Sequence, residues 1–299
     1  MIKYKILSVV LLLFLVSCTS QKKKSGEDAG DATTVKKFEL VEVWKTDTLF
    51  RVPECVFYDK DNDVIYVSNM NDNPREKDGN GFISRLSTSG EILDLEWVAD
   101  MSSPKGLGIY EGKLYVSDVD EVIVIDIAEG EIVERIVIEG AKMINDISID
   151  SQGNLYVSDS DNNNIFLISN GVVSNWLSEG LNSPNGVLVD GESLLLASMG
   201  SEDFAVIDLS TKELTVLTED ISKGDGIAKV SIPGHFLVTD WFGQVFMIYP
   251  DGSKVILLDT REAEIGAADI DYIPEKNLLL VPTFAKDHVV AYNLVEKED

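Results

Sequence analysis

The segment INDISIDSQGNLYVSD, residues 144–159, contains two short apolar runs separated by a polar turn. The runs are rich in Ile, Leu, Val and Tyr, and the turn consists of Asp, Ser, Gln, Gly and Asn. This composition is typical of two antiparallel strands joined by a hairpin. A third apolar run follows at Ile165 to Ile168, and other parts of the chain add a fourth, as at Ile132 to Ile138. The segment is therefore the first half of a four-stranded unit.

The first strand of this unit occurs six times along the chain. Its copies begin at Pro53, Pro104, Ile144, Pro184, Gly224 and Ala267. Most copies are about 40 residues apart, and each is followed by the same succession of short strands and polar turns. Four antiparallel strands repeated at this period are typical of propeller blades. The sequence therefore predicts an all-β, six-bladed β-propeller with four antiparallel strands per blade.

The last copy contains only three strands, the final one at Val289 to Leu294. We expect Phe38 to Trp44 to supply the fourth, because pairing with an N-terminal strand closes the last blade and covers an open sheet edge. The first interval between copies is longer than the others, which indicates an insertion at Asn71 to Asn80 in blade one. Residues 38–299 are thus expected to form a single propeller domain.

The N-terminus has the features of an export signal. Two lysines precede an apolar run, Ile6 to Val16, that is too short to span a bilayer, and Leu-Val-Ser-Cys follows at 15–18. This motif resembles the lipobox of bacterial lipoproteins, which implies a signal peptide at 1–17 and lipidation of Cys18. The alternative is an ordinary signal peptide with a cysteine there by chance. We expect a flexible tether at 18–37 and a lipid-anchored protein of the cell envelope, on the periplasmic or cell-surface side.

The formal net charge of −27 limits the classes of partner. A body this acidic repels phosphate backbones, so nucleic acid is excluded and membrane contact is expected through the anchor only. The charge favours cations, although it also serves simply to keep an exported protein soluble. With Cys18 acylated, Cys55 has no partner for an internal disulfide and is interpreted as a small buried residue. We expect a monomer.

Equivalent residues of the six blades form a ring, because the first strand of each blade runs along the propeller axis. The ring consists of Glu54, Lys105, Asn145, Asn185, Asp225 and Ala268. Its carboxylate and amide oxygens are hard ligands that suit Ca²⁺, with Mg²⁺ or Mn²⁺ as alternatives. The other interpretation is that these residues satisfy backbone groups at strand entries.

The pattern resembles the family of senescence marker protein 30, gluconolactonase and regucalcin. The matching motifs are Pro53-Glu54, Asn145-Asp146, Pro184-Asn185-Gly186 and Asp225-Gly226, and the resemblance covers roughly residues 50 to 295. It implies hydrolysis of a small lactone with the help of a divalent cation, Ca²⁺ first and Mg²⁺, Mn²⁺ or Zn²⁺ as alternatives. By the same resemblance the metal ligands are Glu54, Asn145, Asn185 and Asp225, and Asp225 is the candidate catalytic base.

Two positions depart from that family. Sugar-lactone members carry a basic residue two positions before the third-blade Asn, where this chain has Met143. Lys105 occupies the ring next to Glu54, where it is a candidate to stabilise an oxyanion or to form an ion pair with Glu54. We favour the ion pair, since a lysine beside a bound cation is otherwise unfavourable.

Several other residues are interpreted as structural rather than functional. His235 and His288 have no partners at ligand spacing, so no zinc motif is present, and no Gly-x-Ser-x-Gly motif occurs. Trp241 and Phe242 follow a strand and are expected to pack between blades rather than to line a pocket mouth. Blade three also resembles the NHL type of repeat, which mostly serves as a binding scaffold. Two hypotheses remain: a metal-dependent hydrolase of lactones or related esters, and a non-catalytic ligand- or protein-binding propeller with a structural metal.

Overall fold

A computed structural model describes residues 37–297. The predicted signal peptide, the lipidation site Cys18 and the tether up to residue 36 lie outside the described residues. Within the described part, short strands follow one another and only three single-turn 3₁₀ helices interrupt them, at Arg261–Ala263, Pro274–Lys276 and Phe284–Lys286. No helix of residues 37–297 is both long and apolar enough to cross a membrane.

The strands form six sheets of four, in chain order. The first strand of the chain is β1 (Phe38–Lys45). Blade one comprises β2 (Pro53–Asp59), β3 (Val64–Asn69), β4 (Gly81–Ser87) and β5 (Ile92–Met101). Blade two comprises β6 (Pro104–Tyr110), β7 (Lys113–Asp118), β8 (Glu121–Asp126) and β9 (Glu131–Val137). Blade three comprises β10 (Ile144–Ile149), β11 (Leu155–Asp159), β12 (Asn164–Ser169) and β13 (Val172–Leu177).

The second half of the molecule repeats this arrangement. Blade four comprises β14 (Pro184–Asp190), β15 (Ser193–Ser198), β16 (Phe204–Asp208) and β17 (Leu214–Thr218). Blade five comprises β18 (Gly224–Lys229), β19 (Phe236–Asp240), β20 (Gln244–Ile248) and β21 (Lys254–Asp259). Blade six comprises β22 (Asp271–Ile273), β23 (Leu278–Pro282), β24 (Val289–Glu296) and β1. The all-β, six-bladed propeller with four antiparallel strands per blade is confirmed.

The first strands of the blades meet around the centre. β2 lies against β6, β6 against β10, β10 against β14, β14 against β18, β18 against β22, and β22 against β2. The circle of first strands is thereby complete, so the second residues of β2, β6, β10, β14 and β18 belong to one ring, and Ala268, which precedes β22, is the sixth member.

Blade six combines the two ends of the described chain. β1 pairs antiparallel with β24, with Phe38 opposite Glu296 and Lys45 opposite Val290. β1 is therefore the outer strand of a sheet whose other three strands come from the C-terminal part, and the outer edge of β24 is covered.

The apolar core lies between neighbouring blades. One cluster joins Ile65 and Leu86 of blade one to Leu280 and Val289 of blade six, all fully buried. The fourth strands are more exposed, as in β9, where Val133 and Val137 face solvent. Stacking of blades therefore buries apolar surface that a single sheet would leave exposed.

The interval between the first two repeats is long for two reasons. Residues 70–80 form a connection between β3 and β4 that the other blades lack at this length, and β5 is ten residues long. The connection occupies the place where the sequence indicated an insertion, and it is called the strap below.

Candidate functional site

A cavity of about 240 Å³ lies at the centre of the propeller, since its lining comes from all six blades. Five residues of the predicted ring line it: Glu54, Lys105, Asn145, Asn185 and Asp225. Each is the second residue of the first strand of its blade, and each is at most 6% exposed. Ala268, at the sixth position, is fully buried and adds no polar group. The structure therefore brings the predicted site residues together.

A break in strand pairing orients the ring residues. In the first five blades the register between the first and second strand shifts at the ring position, as between Pro53 and Val56 or between Gly224 and Ile227. A shift of this kind takes residues out of the regular ladder and re-aims their side chains. The backbone N–H that follows the ring residue is left out of the ladder and can donate to a hydroxyl on the second strand. In blade three, Asp146 N–H donates to Ser158 Oγ at 2.9 Å.

Acidic residues at the ends of second strands fix the loops that enter the ring. The Asp118 carboxylate accepts hydrogen bonds from the N–H groups of Ser102 at 2.7 Å and Ser103 at 2.5 Å. The Asp159 carboxylate accepts in the same way from Lys142 at 2.9 Å and Met143 at 3.1 Å. These acids are capping residues that place Lys105 and Asn145, rather than members of the cavity wall.

Directly after the ring residues the blades carry either glycine or another buried residue. A Cβ on Gly186 would overlap the Asp225 carbonyl oxygen, so this glycine lets the inner strands of blades four and five approach. The positions without glycine hold Cys55, Asp146 and Asp269, all buried. Sequence reasoning had not singled out Asp146 and Asp269 as a pair, although both occur at the same repeat position.

Burial makes the ionised form of the acidic ring residues unfavourable. Burial, followed by the negative charge of Asp225, raises the pKa of Glu54 well above its usual range, and the Lys105 ammonium opposes the shift. Burial and the charge of Asp146 raise the pKa of Asp225 to about 8, and a hydrogen bond from Asn185 opposes the shift. Without a counter-charge, the cavity therefore favours neutral carboxyl groups.

Two oxygen atoms of the ring have no hydrogen-bond partner. They are Glu54 Oε2 and Asn185 Oδ1, and both are fully buried. A buried oxygen without a partner is costly, and a bound cation is one of the few ways to satisfy it. Among residues 37–297 no group of three or more His, Cys, Asp or Glu side chains is arranged to hold a metal. The donors in the ring are two carboxylates and two amides, and this all-oxygen set fits a hard cation such as Ca²⁺ better than Zn²⁺.

Lys105 does not form the expected ion pair. Its ammonium donates to the Ser103 carbonyl oxygen at 2.9 Å and to Ser103 Oγ at 3.3 Å. No ion pair within 4 Å joins it to Glu54 in the described part of the chain. The loop held by Asp118 offers the ammonium a nearby carbonyl, so two of its three protons are satisfied without Glu54. Burial lowers the pKa of Lys105 to about 8, against the opposing charge of Glu54.

Outside the ring the lining has an apolar part, which comes from Met70, Pro74, Met143, Met199, Trp241 and Phe284, and a polar part, which comes from Arg75, Asp161, Ser183 and Lys223. The rings of Trp241 and Phe284 meet edge to face, with centroids 5.3 Å apart. Trp241 is 40% exposed and Phe242 is 50% exposed. The expectation that these two residues pack between blades was therefore wrong: Trp241 lines the cavity, and Phe242 lines a neighbouring groove with Arg261.

The strap borders the cavity and contacts blades two and three. Arg75 makes two hydrogen bonds to Asp161 of blade three, Nε to Oδ2 at 2.8 Å and one terminal guanidinium nitrogen to Oδ1 at 3.0 Å. Lys77 pairs with Asp120 of blade two. Pro74, Arg75 and Asp161 all line the cavity, so the strap forms part of its wall.

Comparison with known proteins supports the fold. No protein-family model matches the chain, and no curated protein matches it. A proposed gluconolactonase is 17% identical, with 88% of this chain and 94% of that chain covered and a TM-score of 0.64. A streptogramin B lyase is 15% identical, with 87% and 98% covered and a TM-score of 0.62. A catalytically inactive variant of virginiamycin B lyase from Staphylococcus aureus, solved with quinupristin, is 12% identical, with 87% and 99% covered and a TM-score of 0.61. At these identities the likeness establishes the propeller architecture alone.

Proposed function

We propose that this protein is a divalent-cation-dependent hydrolase of lactones or related esters. The observation that carries the proposal is the buried ring of Glu54, Asn145, Asn185 and Asp225 around one cavity, with two oxygens that lack a partner. The motif resemblance to gluconolactonase-like proteins and the structural likeness to a proposed gluconolactonase support the same reading.

The four ring residues would hold the cation, with Ca²⁺ as the first choice and Mg²⁺, Mn²⁺ or Zn²⁺ as alternatives. When bound, a divalent cation supplies Lewis-acid polarisation of a carbonyl oxygen. It also compensates the carboxylates of Glu54 and Asp225, which burial otherwise drives toward the neutral form.

The chain's own residues supply the proton transfers. Asp225, as a carboxylate, accepts a proton from the attacking water while the water oxygen bonds to the acyl carbon. The ring C–O bond of the lactone then breaks, and the leaving oxygen takes up the proton that Asp225 received, which gives a hydroxy acid and restores the Asp225 carboxylate. Lys105 has one N–H left after its bonds to Ser103, and this proton is available to an oxygen that gains negative charge.

A lactone panel with and without chelator tests the proposal. We expect chelator-sensitive hydrolysis that is lost in Asp225→Asn and in Glu54→Gln, while the exposed control Glu192→Gln keeps it. Equal rates in Asp225→Asn and the unaltered protein would remove Asp225 from the mechanism. No turnover on any lactone, together with a retained calcium effect on melting, would instead support the binding propeller with a structural metal.

The location of the protein is part of the proposal. We infer a monomer that is tied to a membrane of the cell envelope by lipid on Cys18, acts on a small molecule and binds no nucleic acid. Cys18→Ser should move the protein from the membrane fraction to the soluble fraction. An unmodified Cys18 peptide in the mass spectrum of the purified protein would contradict the anchor.

A further inference from the structure

The cavity has a second layer of equivalent residues. They directly follow the second strands of their blades and include Met70, Met199 and Trp241. Their backbone N–H groups donate to the carbonyls two residues before the ring, those of Val52, Ser183 and Lys223, at 3.2, 2.9 and 3.0 Å. The repeat therefore places an apolar layer beside the polar ring in the same way in three blades.

This layer offers a substrate almost no hydrogen bonds. Thioethers are weak acceptors, and Met143, Pro74 and Phe284 add further apolar surface. Hydroxyl groups of a polyhydroxylated ligand that face this layer would lack partners, which costs binding energy, because the polar lining outside the ring is confined to Arg75, Asp161, Ser183 and Lys223. An aryl or alkyl group, in contrast, would pack against Trp241 and Phe284, whose edge-to-face arrangement presents an aromatic surface to the cavity.

Each cation of the cavity already has at least one hydrogen-bond partner in the protein. Arg75 is bonded to Asp161, Lys105 to Ser103, and Lys223 donates to the Met199 carbonyl at 3.4 Å. An anionic substrate would also approach a protein with a net charge of −27. An uncharged substrate meets neither obstacle. The negative charge of the protein also repels the carboxylate product that hydrolysis creates.

We propose that the substrate is an uncharged lactone with an aryl or alkyl substituent rather than a sugar lactone. The inference rests on the proposed function and specifies its substrate class. The acyl group faces the polar ring of Glu54 and Asp225, and the substituent packs against Met143, Met199 and Trp241.

Two δ-lactones with the same reactive group provide the test. We expect kcat/KM for δ-phenyl-δ-valerolactone to exceed that for glucono-δ-lactone by at least about tenfold, which corresponds to one good aromatic contact. The corresponding lactams, which are not hydrolysed, give a second readout by calorimetry, and the phenyl lactam should bind more tightly by a similar factor. A preference for the gluconate-type ring in both measurements would overturn the inference.

Variants locate the preference. Trp241→Ala and Met143→Gln should each weaken phenyl-lactam binding about tenfold or more and alter glucono-lactam binding by less than about threefold. Phe242→Ala is the control, because this ring stacks on Trp241, with centroids 6.2 Å apart, but does not itself line the cavity. Equal losses in Phe242→Ala and Trp241→Ala would contradict the placement of the substituent, and melting temperatures check that each variant is folded.

The two proposals fail in different ways. Tight phenyl-lactam binding without turnover of any lactone would keep the ligand class and overturn the hydrolase. Turnover of both lactones with a preference for glucono-δ-lactone would keep the hydrolase and overturn the ligand class. Neither binding nor turnover would overturn both.

Discussion

At the residue scale, Asp146 joins two blades through one carboxylate. Oδ1 accepts a hydrogen bond from Ile147 N–H at 2.6 Å, and Oδ2 accepts one from Val187 N–H of blade four at 2.7 Å. Asp146→Ala leaves both buried N–H groups without a partner. Because each such loss costs about 1–3 kcal/mol, we expect the free energy of unfolding in urea to fall by roughly 2–4 kcal/mol.

Two comparisons isolate this effect. Asp146→Asn keeps one acceptor oxygen and should lose less stability than Asp146→Ala. Asp150→Ala removes a carboxylate that also accepts backbone N–H groups, from Gln152 at 2.8 Å and Asn154 at 2.9 Å, but in a hairpin turn that water reaches. Equal losses of stability in Asp150→Ala and Asp146→Ala would show that the buried hydrogen bonds of Asp146 contribute no more than those within an exposed turn.

Single residues also show where sequence reasoning stops. The ring position of Glu54 and Asp225 follows from the repeat, because equivalent residues of a propeller must face the same axis. The partner of Lys105 does not follow, since it depends on a Ser103 carbonyl that the Asp118 cap turns toward the ammonium. Trp241 could have been placed at the cavity from its repeat position, as it aligns with Met70 and Met199 directly after a second strand.

At the element scale, the strap spans three blades with exposed ion pairs. The side chains of Arg75 and Asp161 are 53% and 35% exposed, so their pair contributes at most about 1 kcal/mol to global stability. Its effect is local, because it ties the strap, residues 70–80, to blade three beside the cavity. In Arg75→Ala we expect at least about threefold faster amide hydrogen exchange in the strap, with an unchanged global unfolding transition.

The strap experiment has a matched control in Lys60→Ala. This change removes another exposed ion pair, with Glu275, on a different part of the protein. In Lys60→Ala, amide hydrogen exchange in residues 70–80 should keep its original rate. Raised salt should mimic Arg75→Ala in the unaltered protein, since exposed pairs are screened. If neither Arg75→Ala nor raised salt changed the rate of amide hydrogen exchange in the strap, other contacts would be holding the strap in place.

The sequence predicted elements better than it predicted contacts between them. The period of the strands specified six blades, since each blade is a local unit. The insertion in blade one was visible as a long interval between repeats. Its pairing with blades two and three was not, because Arg75 and Asp161 are 86 residues apart and nothing local to either one encodes the contact.

At the scale of the whole molecule, buried acids couple stability to pH. Besides Glu54 and Asp225, burial raises the pKa of Asp146 to about 7 and that of Asp269 well above its usual range. A carboxyl group whose pKa is higher in the folded than in the unfolded state binds more protons when folded. Stability then falls as the pH rises from about 4, the unfolded value, to about 8. The lowered pKa of Lys105 affects the pH dependence of stability only above about pH 8.

A divalent cation should oppose this loss, because it compensates the ring carboxylates as they ionise. With chelator present, we expect the melting temperature to be lower at pH 8 than at pH 5.5 by roughly 5 °C or more. Calcium should raise the melting temperature strongly at pH 8 and weakly at pH 5.5, where protons compete for the same oxygens. Asp225→Asn should flatten the pH dependence and remove the calcium effect.

Glu192→Gln changes the net charge equally but lies on an exposed turn, so it separates this local effect from general repulsion in an acidic protein. A calcium response that survives Asp225→Asn would place the cation outside the ring.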